Sequence, residues 1–146
     1  MIYYRNDVRE SGIDARAVKA IVMKLLAEVG ETTSSISISF VDDAAIRELN
    51  REHRGKDTAT DVLSFPLDDV ISPEKMLGDV VVSVETARRQ AGEYDASLAD
   101  EVSRLLIHGI LHLLGHDHME DAERMRMEAE ERRLADAIGM KWPYPV

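Results

Sequence analysis

Four histidines crowd into the stretch HGILHLLGHDH, at positions 108, 112, 116 and 118, around Gly109 and Gly115. On a helix, residues four apart stand one above the other on the same face, so His108 and His112 can present two imidazoles to a single point. Gly115 suits the left-handed residue that closes a helix, and the turn it permits can bring His118 back to the same point as a third ligand. The further donors nearby are His116 and Asp117. His116 and His118 alternate around the turn and are expected to point apart. The pattern therefore predicts three protein ligands, His108, His112 and His118, and one open position, whereas a structural metal would normally have four protein ligands. An all-imidazole set favours one zinc ion per chain, although nickel and copper also accept imidazole. Zinc with an open position lowers the pKa of a water to about 7 and makes hydroxide available at neutral pH. Asp117 then reads as a turn former or a partner behind the ligands, and His116 as a candidate proton carrier beside the metal. The rival reading, ordinary histidines beside a buried helix, leaves the joint spacing of three histidines and a glycine unexplained.

The spacing H-x-x-x-H-x-x-G-x-x-H is shared with zinc proteases, which place Glu directly after the first His; here that position is Gly109. Peptide hydrolysis at such a site relies on that Glu to take a proton from water and deliver it to the leaving amine. A peptidase is accordingly the least favoured activity. A glycine beside the first ligand is expected to let a bulky substrate approach the helix closely. A phosphodiester is one candidate, because its charged oxygen can bind a metal and its leaving alkoxide needs mainly electrostatic help. Residues to hold a phosphate occur upstream, in LNREHRGKDTATDVLSFP at 49–66, where Arg51, His53, Arg54 and Lys56 form the densest basic cluster of the chain. Guanidinium groups bind phosphate bidentately, which makes Arg54 the candidate clamp, with Arg51 and Lys56 as further substrate-binding cations. Positive residues at a helix end are also favoured by the helix dipole, and composition weighs the two readings evenly.

These groups need a scaffold, and the chain is long enough to supply one. Its 146 residues are expected to form a single domain over 1–146, with 45% hydrophobic and 32% charged residues, a soluble globular balance. There is no cysteine, so disulfides and thiolate metal ligands are excluded. The N-terminal MIYYRNDVRE lacks the apolar core of a signal peptide. The longest apolar stretch, Leu105 to Gly115, is too short to span a bilayer. The expectation is a cytoplasmic protein without a membrane partner. A net charge of −10 argues against a general phosphate-binding surface and requires any RNA to meet a local basic patch.

Hydrophobic spacing then places the elements. Residues 2–5 are short, aromatic and β-prone, and 14–29 carries Val18, Ile21, Val22, Leu25, Leu26 and Val29 along one helical face. SISISFV at 35–41 alternates as a strand, after which Asp42 caps a helix reaching about Asn50, with Ile46 and Leu49 inward. VLSFP at 62–66 and DVVVSV at 79–84 are two more strands, joined by a polar loop, 67–78, that could rim a site. From Glu85 the chain turns helical. A second helix starts near Ser97, with the S-x-x-D signal to Asp100, and ends near Leu114; a last amphipathic helix spans Met119 to Ala137. The fold class is α+β, with a small four-stranded mixed sheet and about five helices.

Taken together, these stretches resemble the YbeY-type endoribonucleases, the bacterial ribosomal RNA maturation factors. HGILHLLGHDH is similar to their H-G-x-L-H-L-x-G-[YH]-D-H signature, LNREHRGKDTATDVLSFP to a second motif of an Arg followed by T-[DN]-V-L-S-F-P, and LGDVVVS at 77–83 to a third, all in the family's order. Many members carry Tyr at the position of His116. The resemblance implies a zincin-like fold whose metal-binding helix supplies His108 and His112, with His118 as the third zinc ligand. It also implies a catalytic or RNA-binding arginine at Arg54, single-strand-specific RNA cleavage, maturation of the 3′ end of small-subunit ribosomal RNA, and ribosome quality control. RNA would meet one groove, with ribosomal proteins or ribosome-associated factors as further partners. The base that activates the nucleophile is open between metal hydroxide, His116 and a metal-assisted substrate 2′-hydroxyl. The alternative is a ribosome-assembly or RNA-binding factor with a structural metal.

Overall fold

The computed structural model describes residues 1–67, 75–117, 119–140 and 142. In chain order the elements are β1 (Ile2–Asn6), α1 (Ala15–Glu28), β2 (Ser35–Val41), α2 (Asp43–Arg54), β3 (Val62–Pro66), β4 (Met76–Ser83), α3 (Val84–Glu93), α4 (Leu98–Leu113) and α5 (Asp121–Ala137). The strands form one mixed sheet in the order β1-β2-β4-β3, parallel except for β3, which runs antiparallel to β4 at one edge. Among the described residues, four strands in a mixed sheet and five helices, an α+β arrangement, match the expectation from sequence.

Strand alternation divides the core between two faces of the sheet. Ile36, Ile38 and Phe40 of β2 and Val80 and Val82 of β4 point to one face, where they meet Val22 and Leu25 of α1, Leu134 of α5 and most of α4. Val41, Leu63 and Val81 point to the other face, where Ile46 of α2 covers them, with Leu49 and Phe65 at the margin. In β3 the same alternation sends Leu63 and Phe65 toward α2 and leaves Ser64 facing α4, whose Gly109 carbonyl it reaches with a hydrogen bond of 3.0 Å. The edge strand is thus in contact with a different helix on each face.

The helix ends follow local chemistry. The Asp14, Asp42, Ser83 and Ser97 side chains each accept a backbone N–H at the start of α1, α2, α3 and α4, the first-turn donors that would otherwise lack a partner. Two boundaries differ from the periodicity reading by three residues or more. α2 continues past Asn50 to Arg54, because Gly55 in the left-handed conformation is what stops it, and the added turn is polar and exposed. β4 starts at Met76, three residues before the expected strand, because Gly78 still pairs with Pro66 and Met76 with Ser35. The expected rim loop 67–78 is therefore shorter, and its residues 68–74 lie outside the described residues. Among the described residues, no helix is long and apolar enough to cross a membrane.

Candidate functional site

α4 is the central helix of the main core. Leu105, Leu106, Ile107, Ile110 and Leu111 are fully buried, and the helix packs on β3, β4, α1, α3 and α5. A helix so enclosed has one stripe left for polar groups, and Arg104, His108 and His112 occupy it at four-residue intervals. The C-terminus closes with a pair of bonds that only a left-handed residue allows. Gly115, at φ 92°, donates to the His112 carbonyl at 3.0 Å, and His116 N–H returns to the Leu111 carbonyl at 3.0 Å. The glycine turn expected after His112 is present.

His108 and His112 come together. Their Nε2 atoms lie 3.0 Å apart, and the rings meet edge to face with centroids 4.6 Å apart. Two imidazole nitrogens on a tetrahedral zinc, each at about 2.0–2.1 Å from it, would stand about 3.3 Å apart, so this pair is within a few tenths of an ångström of a ligand pair. The donor set is also of the kind zinc takes. The third expected ligand, His118, lies outside the described residues, and among the described residues no group of three metal-binding side chains gathers. The opposite edge of the His108 ring faces α5, where Glu131 Oε2 stands 3.5 Å from His108 Nδ1.

His116 sits in the turn beyond α4, half-buried, in a recess of about 260 Å³ lined also by Asp117, Glu123 and Arg126. Nearby on α5, the hydrogen bond from Arg133 holds the Glu130 carboxyl below the ordinary glutamate value, against the effect of burial. The recess places His116 toward α5.

Gly109 has a role the motif did not disclose. It is buried against the sheet, where a Cβ would stand 2.7 Å from Val80 Cγ1 and 3.2 Å from Ser64 Oγ. The missing side chain lets helix and sheet approach each other; it does not open room for a substrate, which corrects the expectation above. One turn earlier a partly buried polar network fixes the same helix. Arg104 pairs with Glu101 at 2.6 Å and with Asp61, at the entry to β3, at 3.6 Å, while Gln90 of α3 donates to Glu101 at 2.9 Å and to Asp61 at 3.3 Å. Glu101 is 0% exposed, so its charge depends on these partners.

The basic cluster occupies the exposed last turn of α2 and the loop after it. Arg51 is engaged by Glu48 on its own helix, whereas Arg54 and Lys56 have no ion pair among the described residues. This region is tied down by Asn50 Nδ2, which donates to the Thr58 carbonyl at 2.9 Å, by Arg47, which pairs with Asp57 at 2.8 Å, and by His53, which lies against Phe65 of β3 with ring centroids 4.9 Å apart. Phe65 belongs to the α2 face of the sheet and Ser64 to the α4 face. Arg54, on α2, and the histidine pair, on α4, are therefore associated with opposite faces of the same edge strand.

Sequence reasoning missed Glu131, Ser64 and the network of Asp61, Gln90, Glu101 and Arg104. Glu131 had a signal, since it continues the buried line Met127, Glu131, Leu134 at helical spacing. The others depend on which elements meet and had none.

Comparison with known proteins agrees with the fold and the motifs. The family model described as Endoribonuclease YbeY matches residues 3–139. Relatives bearing that name include one from Anaeromyxobacter sp., 47% identical over 126 residues, covering 86% of this chain and 66% of the relative. One from Myxococcus xanthus is 46% identical, covering 86% and 44%. One from Alkaliphilus metalliredigens is 44% identical, covering 84% and 82%. The chain thus spans just under two thirds of the Anaeromyxobacter relative and less of the Myxococcus one. The solution structure of TM1509 from Thermotoga maritima superposes with a TM-score of 0.65 at 29% identity, covering 95% of this chain and 90% of that one. By family model and sequence alike, the chain belongs to the YbeY family.

Proposed function

We propose that this protein is a zinc-dependent, single-strand-specific endoribonuclease of ribosomal RNA maturation, acting on the 3′ end of small-subunit RNA and in ribosome quality control. The observation that carries this reading is the convergence of His108 and His112 through their Nε2 atoms, 3.0 Å apart, on the helix that bears the family's signature. His108, His112 and His118 would hold one metal ion per chain. When bound, a zinc ion supplies Lewis acidity, polarising a phosphoryl oxygen and acidifying water.

The chain's own residues bind and orient the RNA. Arg54 is exposed and has no ion pair among the described residues, so its guanidinium is free to grip a phosphate through two parallel hydrogen bonds. Lys56 adds a second charge, and Arg51, shared with Glu48, a weaker one. A strand laid across the outer edge of β3 would pass from this cluster to the histidine pair, and a single strand is slender and flexible enough to make that turn. His116 is the proton carrier this reading assigns within the turn. Ribosomal proteins or ribosome-associated factors would supply the contacts that an acidic surface does not, in the cytoplasm where ribosomes mature.

The test is cleavage of a defined single-stranded RNA by metal-stripped protein with and without added zinc, with duplex RNA and casein as parallel substrates. The reading expects zinc-dependent cleavage of the single strand only. Tight RNA binding without cleavage would favour an assembly factor with a structural metal, and casein cleavage a peptidase. The product termini identify the nucleophile, since a 2′,3′-cyclic phosphate marks attack by the substrate's own 2′-hydroxyl.

A further inference from the structure

The core-facing side of α5 is apolar at Met127, Leu134 and Ala135, yet Glu131 stands among them at 9% exposure. The other carboxylates of α5, Asp121, Glu123, Glu128, Glu130 and Asp136, are exposed or half-buried. A buried carboxylate is unfavourable unless it is paired, and a packing role alone would be better served by Met or Leu. The Glu131 carboxylate faces the His108 ring, Nδ1 to Oε2 at 3.5 Å. The geometry gives the two edges of the ring different partners, with Nε2 toward His112 and Nδ1 toward Glu131.

We infer that Glu131 is a positioning residue for the metal centre, accepting the Nδ1 proton of His108 and so holding this ring with its Nε2 lone pair aimed at the ligand point. A neutral imidazole carries one proton on one nitrogen, and an acceptor at Nδ1 selects the tautomer in which Nε2 is free to coordinate. The carboxylate also fixes the ring's rotation. Glu131 does not serve as a ligand itself, because it faces the edge of the ring turned away from the point His108 shares with His112. The inference rests on the metal reading proposed above, and it gives α5 a part in the site beyond covering the core.

The experiment compares wild type with Glu131→Met, which keeps the volume, and Glu131→Gln, which keeps an acceptor oxygen. Long-range nitrogen–proton NMR of metal-free protein reads the His108 tautomer, and competition with a chromogenic chelator reads the zinc dissociation constant. Wild type is expected to show the Nδ1–H tautomer. Glu131→Met is expected to shift the ring toward Nε2–H and weaken zinc by about 10- to 100-fold, with Glu131→Gln in between and melting temperature held in both. An unchanged tautomer together with zinc affinity within about twofold of wild type in Glu131→Met would overturn the inference. If wild type takes up no zinc at the histidines while the tautomer still follows Glu131, the metal reading fails and the control of the ring by Glu131 stands.

Discussion

At the residue scale, Gly109 separates what a motif conveys from what a fold adds. A Cβ there would press on Val80 Cγ1 at 2.7 Å, so Gly109→Ala is expected to cost about 1–3 kcal/mol of stability in denaturant titration. Gly109→Glu, which restores the protease pattern, is expected to destabilise further and to confer no peptidase activity, because the new side chain would be driven toward β4. The i, i+4 spacing of His108 and His112 made their pairing legible in advance, since a helix alone brings them together. The direction of Gly109 was not legible, because it depends on Val80, a residue on another element. Arg54 supplies a second prediction. Exposed and without an ion pair among the described residues, it can be changed to Ala with stability held within about 0.5 kcal/mol. RNA affinity by filter binding should fall about 10- to 100-fold if the guanidinium grips a phosphate, with Lys only partly restoring it. Undiminished binding would reduce Arg54 to a helix-end charge.

At the element scale, the site depends on α4 being held against the entry of β3. Arg104 joins the two, and Arg104→Met would leave Glu101 and Asp61 with less compensation, Glu101 being 0% exposed. Loss of about 3–5 kcal/mol by chemical denaturation is expected, and a loss below 1 kcal/mol would mean that apolar packing holds the helix unaided. A second junction joins α2 to the start of α3. Asp43 Oδ1 accepts from Ser83 at 2.5 Å and Thr86 at 2.7 Å, and Arg89 pairs with Oδ2 at 3.0 Å. Burial pushes the Asp43 carboxyl up, but the bonds from Ser83, Thr86 and Arg89 outweigh it and hold it below the ordinary aspartate value. A depressed folded pKa contributes stability that is complete above the unfolded pKa and is lost as pH falls through the folded one. Asp43→Asn is therefore expected to be less stable than wild type at pH 7, with the gap narrowing below about pH 4, as followed by thermal melts. Strict alternation located β2 correctly because its pattern belongs to the strand itself, and the strand expected at 62–66 is β3. The start of β4 was missed because Met76 and Gly78 are strand residues only through partners that sequence distance hides.

At the scale of the whole molecule, an acidic chain carries one small basic region beside an edge strand in contact with α2 on one face and α4 on the other. Few phosphates can be neutralised by so small a patch. With two or three contacts, RNA affinity should fall with salt at a log–log slope of about −1.4 to −2.1, and a slope steeper than about −4 would show that RNA covers more of the surface than this region. Fold class, strand count and the histidine helix could be read from the chain because each rests on local periodicity or a spacing within one helix. The two-sided edge strand and the placing of Glu131 behind His108 could not, since both arise only when α2, α4 and α5 dock on the sheet. The central claim is that the chemistry lies at His108 and His112. Its most direct test is the cleavage rate of a defined single-stranded RNA by zinc-loaded wild type and by His112→Ala purified in parallel, with circular dichroism to verify the fold. Loss of cleavage in a folded His112→Ala protein is the predicted result; equal cleavage by both would contradict the account.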